Sequence, residues 1–284
     1  MHGFDSHRGL LKMKKPVQIV LITFFIIFLS PLALYAQDFN FKKAFEDYQF
    51  SLGVYSDSFS DYQKFKDAYL KNPTLTLKED ARKKTLEMLK SRDELQKVYL
   101  TALRMRLVEN NGLTTDEKVS LFTKIDSEVA WYLNHKGGYQ DGDTLETLFN
   151  KSGEAESRYK SNTSQIVYES LFYISLGDEV DLRITQEAIY KNLTDTINIG
   201  VAEGKLDINP FNRWFLDIAD VIGKLKANEV LSKTSIQKMY GQSTGSPTGA
   251  YNSSLVPLTS SIKLLSQFNS FLIEVLTSIK NQQK

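Results

Sequence analysis

The chain of 284 residues contains no cysteine, so disulfides and thiolate chemistry are excluded, and its core must hold it together. Histidine is nearly as scarce: His2 and His7 open the sequence, and His135 alone follows. Helix-borne His-x-x-x-His zinc sites and the Glu-x-x-His pairs of di-iron bundles therefore cannot be built in the main body of the chain. A Ser/His/Asp triad would have to use His135, beside the Gly137-Gly138 turn. Walker-type loops are missing, as is a Gly-x-Gly-x-x-Gly run after a strand, which removes the common nucleotide sites. No excess of one charge is present either, since the formal net charge is +1. Beyond residue 36 the count is 31 basic against 33 acidic side chains, which leaves no electrostatic footprint for nucleic acid.

Long apolar runs are also rare, with one exception at the start. Lys14 and Lys15 precede an apolar stretch from Val17 to Ala36 that is broken by Pro31. This charge-then-apolar order is that of a secretory signal, and Ala36 offers a cleavage position, although Leu34 stands where a small residue is preferred. The rival reading is an uncleaved anchor of spanning length. Residues 1–36 are therefore expected to be a signal peptide or an N-terminal membrane anchor. Met13 before Lys14-Lys15 offers an alternative start to Met1. In either case residues 37–284 are expected outside the cytoplasm, touching a membrane only through residues 17–36 if these are retained.

What is abundant is helical periodicity. With 42% apolar and 24% charged residues and no sustained period-two alternation, the chain reads as a folded all-α protein without sheet. The expected architecture is an elongated antiparallel multi-helix bundle with coiled-coil-like packing, opening with a long helical hairpin over 39–110. In its first helix Phe41, Phe45, Tyr48, Leu52, Tyr55, Phe59, Tyr62, Lys66 and Tyr69 step by four and three, a heptad seam interrupted at Lys66. Asn72-Pro73 stops it. Thr76 with Glu79 reads as a capping box for the second helix, which carries two apolar stripes and so needs neighbours on two sides.

Thr114 with Glu117 opens the next helix, and further bundle helices follow to 240. Asp143 with Glu146 reads as a cap, Gly177 as a break, and Asn228 as a point where the helix after Pro210 can divide. Gly/Ser/Thr/Pro enrichment marks 241–254 as a flexible loop. The last helix, 255–281, has Leu258, Ile262, Leu265, Asn269, Leu272, Leu276 and Ile279 in heptad spacing. Asn269 then either sets register inside the seam or sits at its edge.

Three motifs invite chemistry. Asp141-Gly-Asp143 suggests a calcium loop, but the EF-hand spacing fails at Leu145, and helix capping explains the same residues. The sequons at Asn162, Asn192 and Asn252 fit chance in a chain of this composition. Glu169-Ser170 in "ESLFYIS" resembles the Glu-Ser start of secreted helical transglycosylases, which implies Glu169 as a catalytic acid. The Gly-Leu-Met-Gln-type segment that should follow is missing.

Of the 31 residues from Phe39 to Tyr69, 10 are aromatic, and that density poses a choice between a ligand-stacking surface and a core. Core spacing favours burial of the rings at 41, 45, 48, 55, 59, 62 and 69. Phe50 and Phe65 lie off the seam and are the candidates for a partner surface. Lys66 and the pair Arg213-Trp214 are the candidates for a pocket. The leading expectation is a secreted or membrane-tethered protein that works through surfaces as a cell-envelope structural or interaction protein, with a protein partner or a second copy of itself. It calls for no cofactor and no catalytic residue. The alternatives are an extracytoplasmic ligand-binding bundle and a carboxylate-dependent enzyme acting on cell-wall glycan.

Overall fold

A computed structural model describes residues 39–241 and 246–282. The expected signal or anchor, 1–36, and the choice between Met1 and Met13 lie outside the described residues. Those described form long α-helices that pack side by side, with no strand among them. In chain order these are α1 (Phe41–Lys71), α2 (Leu75–Val108), α3 (Thr115–Gly137), α4 (Leu145–Arg158), α5 (Ser164–Ala202), α6 (Asn209–Gln237) and α7 (Pro247–Gln282). A π-helical turn, Tyr159–Thr163, joins α4 to α5, and a 3-10 turn, Lys238–Tyr240, ends α6.

Side-chain caps fix most starts. Asn40 accepts from the Lys43 N–H, and Thr114 and Glu117 form the reciprocal capping box. Two caps differ from expectation. Thr74, directly after Pro73 in extended backbone, caps α2, so Thr76 falls inside the first turn. Likewise Thr144 caps α4, because the Asp143 carboxylate is already taken by the Gln140 N–H and the Lys151 ammonium.

The α1–α2 pair is antiparallel: the Phe41 N–H reaches Glu109, Tyr48 meets Tyr99, and Asp61 pairs with Lys84. Phe41, Tyr48, Tyr55, Tyr62 and Tyr69 take the predicted places in its seam, but the positions between them differ. Residues turned toward α2 are Phe41, Ala44, Tyr48, Ser51, Tyr55, Ser58, Tyr62, Phe65 and Tyr69, so aromatic and small side chains mostly alternate. Of these only Ala44 is fully buried. Phe45, Leu52 and Phe59, expected in the core, are 40%, 43% and 37% exposed. The physical reason is that α1 has α2 as its single extended neighbour. One neighbour covers one line, and Ala44, Ser51 and Ser58 let the two backbones approach along it.

α5 runs unbroken through Gly177, which is a point of close approach and not a break. Asn110 donates to the Ile174 carbonyl and to Asp178, and accepts from the Gly112 N–H. A Cβ on Gly177 would stand 2.0 Å from the Asn110 side-chain oxygen, and one on Gly112 would stand 1.9 Å from the Gly177 carbonyl. Neither position has room for any other residue.

The first half of α5 packs with α2 and α3 in a core of Leu100, Leu107, Leu121, Ile125, Ile166 and Val167. Its second half meets α6 and α7 around Phe211, Ile218, Leu225, Phe268 and Val275. α6 is continuous through Asn228. α7 begins at Pro247, inside the stretch expected to be a loop, with residues 242–245 outside the described set. Proline suits a helix start, and the small residues after it are packing surface: Ala250 and Ser254 are buried. The α7 seam is also turned from the expected one, since Ser261 and Phe268 are buried while Ile262 is 65% exposed and Asn269 lies in solvent.

Candidate functional site

The residues singled out by sequence fall in different places. Phe50 is 75% exposed on the outer side of α1, whereas Phe65 is half-buried in the α1–α2 seam under the Lys64 ammonium. Arg213 and Trp214 part company. Arg213 points into solvent and pairs loosely with Asp217 at 3.6 Å. Trp214 donates to Glu274 at 2.8 Å and forms one wall of an open cleft of about 690 Å³ between the ends of α6 and α7.

Lys66 lies on a second groove, of about 290 Å³, which runs between α1 and α4 with α2 beneath. Met88, Leu89 and Leu148 form its buried floor. Tyr62, Tyr69 and Leu70 wall it on the α1 side, and Leu145 and Phe149 face them from α4. No Asp or Glu lines it. Among the described residues Lys66 has no carboxylate partner, and its ammonium sits 5.3 Å from the centre of the Tyr62 ring. The interruption of the heptad pattern at Lys66 thus coincides with the one cation on an apolar groove.

A third constellation was not legible in the sequence: charged groups buried between α2, α3 and α4. Asp93, wholly buried on α2, accepts from His135 Nδ1 at 2.5 Å and from Arg92 at 3.2 Å. Arg92 also donates to Ser152 and Tyr139. The imidazole stacks on Trp131 at 4.6 Å, and its Nε2 is buried without a partner. Two members of a triad are therefore in place, but no hydroxyl of the described residues reaches Nε2. Burial, and then the Asp93 charge, push the Tyr139 hydroxyl far above the ordinary tyrosine range. The same cause raises Tyr132 to about 12. One turn before Tyr132 on α3, Glu128 is wholly buried and accepts from Arg158, Asn162 and Thr163. These last two partners come from the π-helical turn, a form that recurs at functional sites.

Glu169 stands behind a cleft of about 330 Å³ that Glu128, Lys124 and Tyr240 line. Its oxygens accept from the Lys124 ammonium at 2.7 and 2.8 Å and from the Tyr240 hydroxyl at 2.5 Å. Every oxygen of both carboxylates thus accepts at least one hydrogen bond, which is how buried charge is accommodated. The Asp141-Gly-Asp143 loop is likewise occupied. Arg82 donates to both Asp carbonyls, and the Lys151 ammonium holds the Asp143 carboxyl below its usual range. Gly241-Gln-Ser-Thr-Gly245 has the Gly-x-Ser-x-Gly spelling of a hydrolase nucleophile elbow. Gly241 follows a 3-10 turn and not a strand, and residues 242–245, the serine included, lie outside the described residues.

Comparison of the chain with protein-family models, with curated proteins and with solved structures gives no match. Among the described residues no helix is long and apolar enough to cross a membrane, and no cluster of three or more metal-ligating side chains forms.

Proposed function

We infer that this is an extracytoplasmic helical protein that acts by binding through its surface, with a second copy of the chain as partner. The observation that carries the reading is the outer side of α1. From Tyr48 to Ser56 there is no charged residue, yet Leu52 is 43% exposed on one flank of α1 and Phe50 and Val54 are 75% and 42% exposed on the other. Phe45, Leu52 and Phe59 recur every seven residues, the spacing that lays a further helix along α1. Soluble surfaces are normally about a quarter to a third charged, whereas interface cores lose charge and gain aromatics. Gly53, Ser56 and Ser60, exposed beside this stripe, would let a second helix come close. The extracytoplasmic part of the reading rests on Lys14-Lys15 and the apolar stretch Val17–Ala36.

Sedimentation velocity on the full chain tests the partner. Concentration-dependent dimers are expected, and Leu52→Ser with Phe59→Ser should abolish them while helicity is kept. A strictly monomeric parent at high concentration ends the proposal. Cell fractionation with N-terminal sequencing tests the location separately. The glycan-cleaving alternative gains nothing from a Glu169 already committed to Lys124 and Tyr240.

A further inference from the structure

We propose that the groove between α1, α2 and α4 binds a free single-chain amphiphile with an anionic head, the acid group meeting Lys66 and the chain lying over Met88, Leu89 and Leu148. Three features select that chemistry. The walls and floor are apolar, and two rim residues, Leu70 and Phe149, are 69% and 77% exposed, which is costly unless something covers them. The charge facing the groove is of one sign, an ammonium with no carboxylate among the lining residues. Two phenol hydroxyls, of Tyr62 and Tyr69, have no protein partner among the described residues and stand on either side of Lys66 in the helix. A cation with hydroxyl donors at the edge of an apolar slot is complementary to a carboxylate on a hydrocarbon chain.

Size narrows the choice. At about 290 Å³ the groove sits at the small end of ligand sites, and along α2 it extends from Ala81 to Leu89, about 12 Å at the helical rise. That suits one short chain, not a two-chain lipid. The groove lies toward the C-terminal end of α1, beginning at Tyr62, whose ring is 6.0 Å from that of Phe59, while Phe45 and Leu52 lie further back; calorimetry with decanoate and sedimentation of the parent chain therefore read occupancy and self-association separately.

The test is calorimetric titration of the full chain with sodium decanoate and, separately, with the uncharged alcohol of the same length. Decanoate should bind at one site, about tenfold more tightly than the alcohol, and Lys66→Met should erase that difference while leaving the alcohol unchanged. Phe149→Ser, on the exposed rim, should weaken both. Lys66 and Phe149 both reach solvent, so circular dichroism should show unchanged helicity in each variant. Absence of decanoate binding, or equal binding by parent and Lys66→Met, overturns the proposal. So does binding to phosphatidylglycerol vesicles without binding to decanoate, which would make this a bilayer-facing surface. A partner helix that occupies the groove and excludes decanoate overturns it as well.

Discussion

The α1–α4 region and the α5–α7 region solve the same packing problem with different materials. Around α6 and α7 the core is dry: Phe211, Ile218, Leu225, Phe268 and Val275 interlock, each at or below 1% exposure. Around α2, α3 and α4 the interior instead holds Asp93, His135, Glu128 and Arg158, each satisfied largely by hydrogen bonds. α1 then lies outside that interior with one buried residue in 31. A dry core gains from area alone, whereas a charged one gains little net energy but tolerates few rearrangements, so it fixes geometry. The two proposed binding surfaces belong to the second kind of region, although the Trp214 cleft opens in the first.

The largest break in this contrast should come from Phe268→Ala, which opens a cavity in the dry core and should cost about 3–5 kcal/mol in denaturant unfolding. Next is Glu128→Ala. It strands Arg158, Asn162 and Thr163, and should cost about 2–3 kcal/mol, because a partner is removed while the groups that bonded it stay put. If the loss matches that of an exposed substitution, the charged interior is better hydrated than its burial implies.

The smallest effect sharpens the comparison, because Glu179 in α5 is, with Arg183 and Gln186, among the buried polar groups of the other region. It is buried, neither oxygen has a partner, and burial raises its pKa to about 7, against the weaker opposing pull of Arg183. The folded state then holds a proton that the unfolded state releases near its ordinary value of 4.5. Stability is therefore full below that value and falls as pH rises through about 7. Glu179→Gln should flatten this slope, with a gain over the parent at pH 8 and none at pH 4. Parallel unfolding curves for parent and variant across that range would sink the idea.

Helix existence was legible in the sequence because caps and breakers are local: Thr114 with Glu117, Asn72-Pro73, Pro210. Helix phase was not. On α1 the positions turned toward α2 include Ala44, Ser51 and Ser58, and on α7 the buried ones include Ser254 and Ser261, residues too small to register as a hydrophobic stripe. A reader who follows the largest apolar side chains picks Phe45, Leu52, Phe59, Ile262 and Leu276, which the fold leaves outside. The groove was half legible. Lys66 broke the pattern visibly, but Leu148 and Phe149 come from α4, and nothing local says that α4 faces α1. Asp93 and Glu128 gave no signal, since a charged residue in a helix is ordinarily solvated, and of their partners only His135 stood out, by its scarcity.

The 39-residue α5 contributes to both interiors, and Asn110 clasps it about a third of the way along, at Gly177. A rod shared in this way makes the two regions one cooperative unit, because neither half can open without loosening a helix the other depends on. Amides on either side of Gly177 should therefore exchange with deuterium only through global unfolding. Those of α1, held along a single line, should exchange by local opening hours sooner, and that detachable helix is the one that carries the proposed contacts.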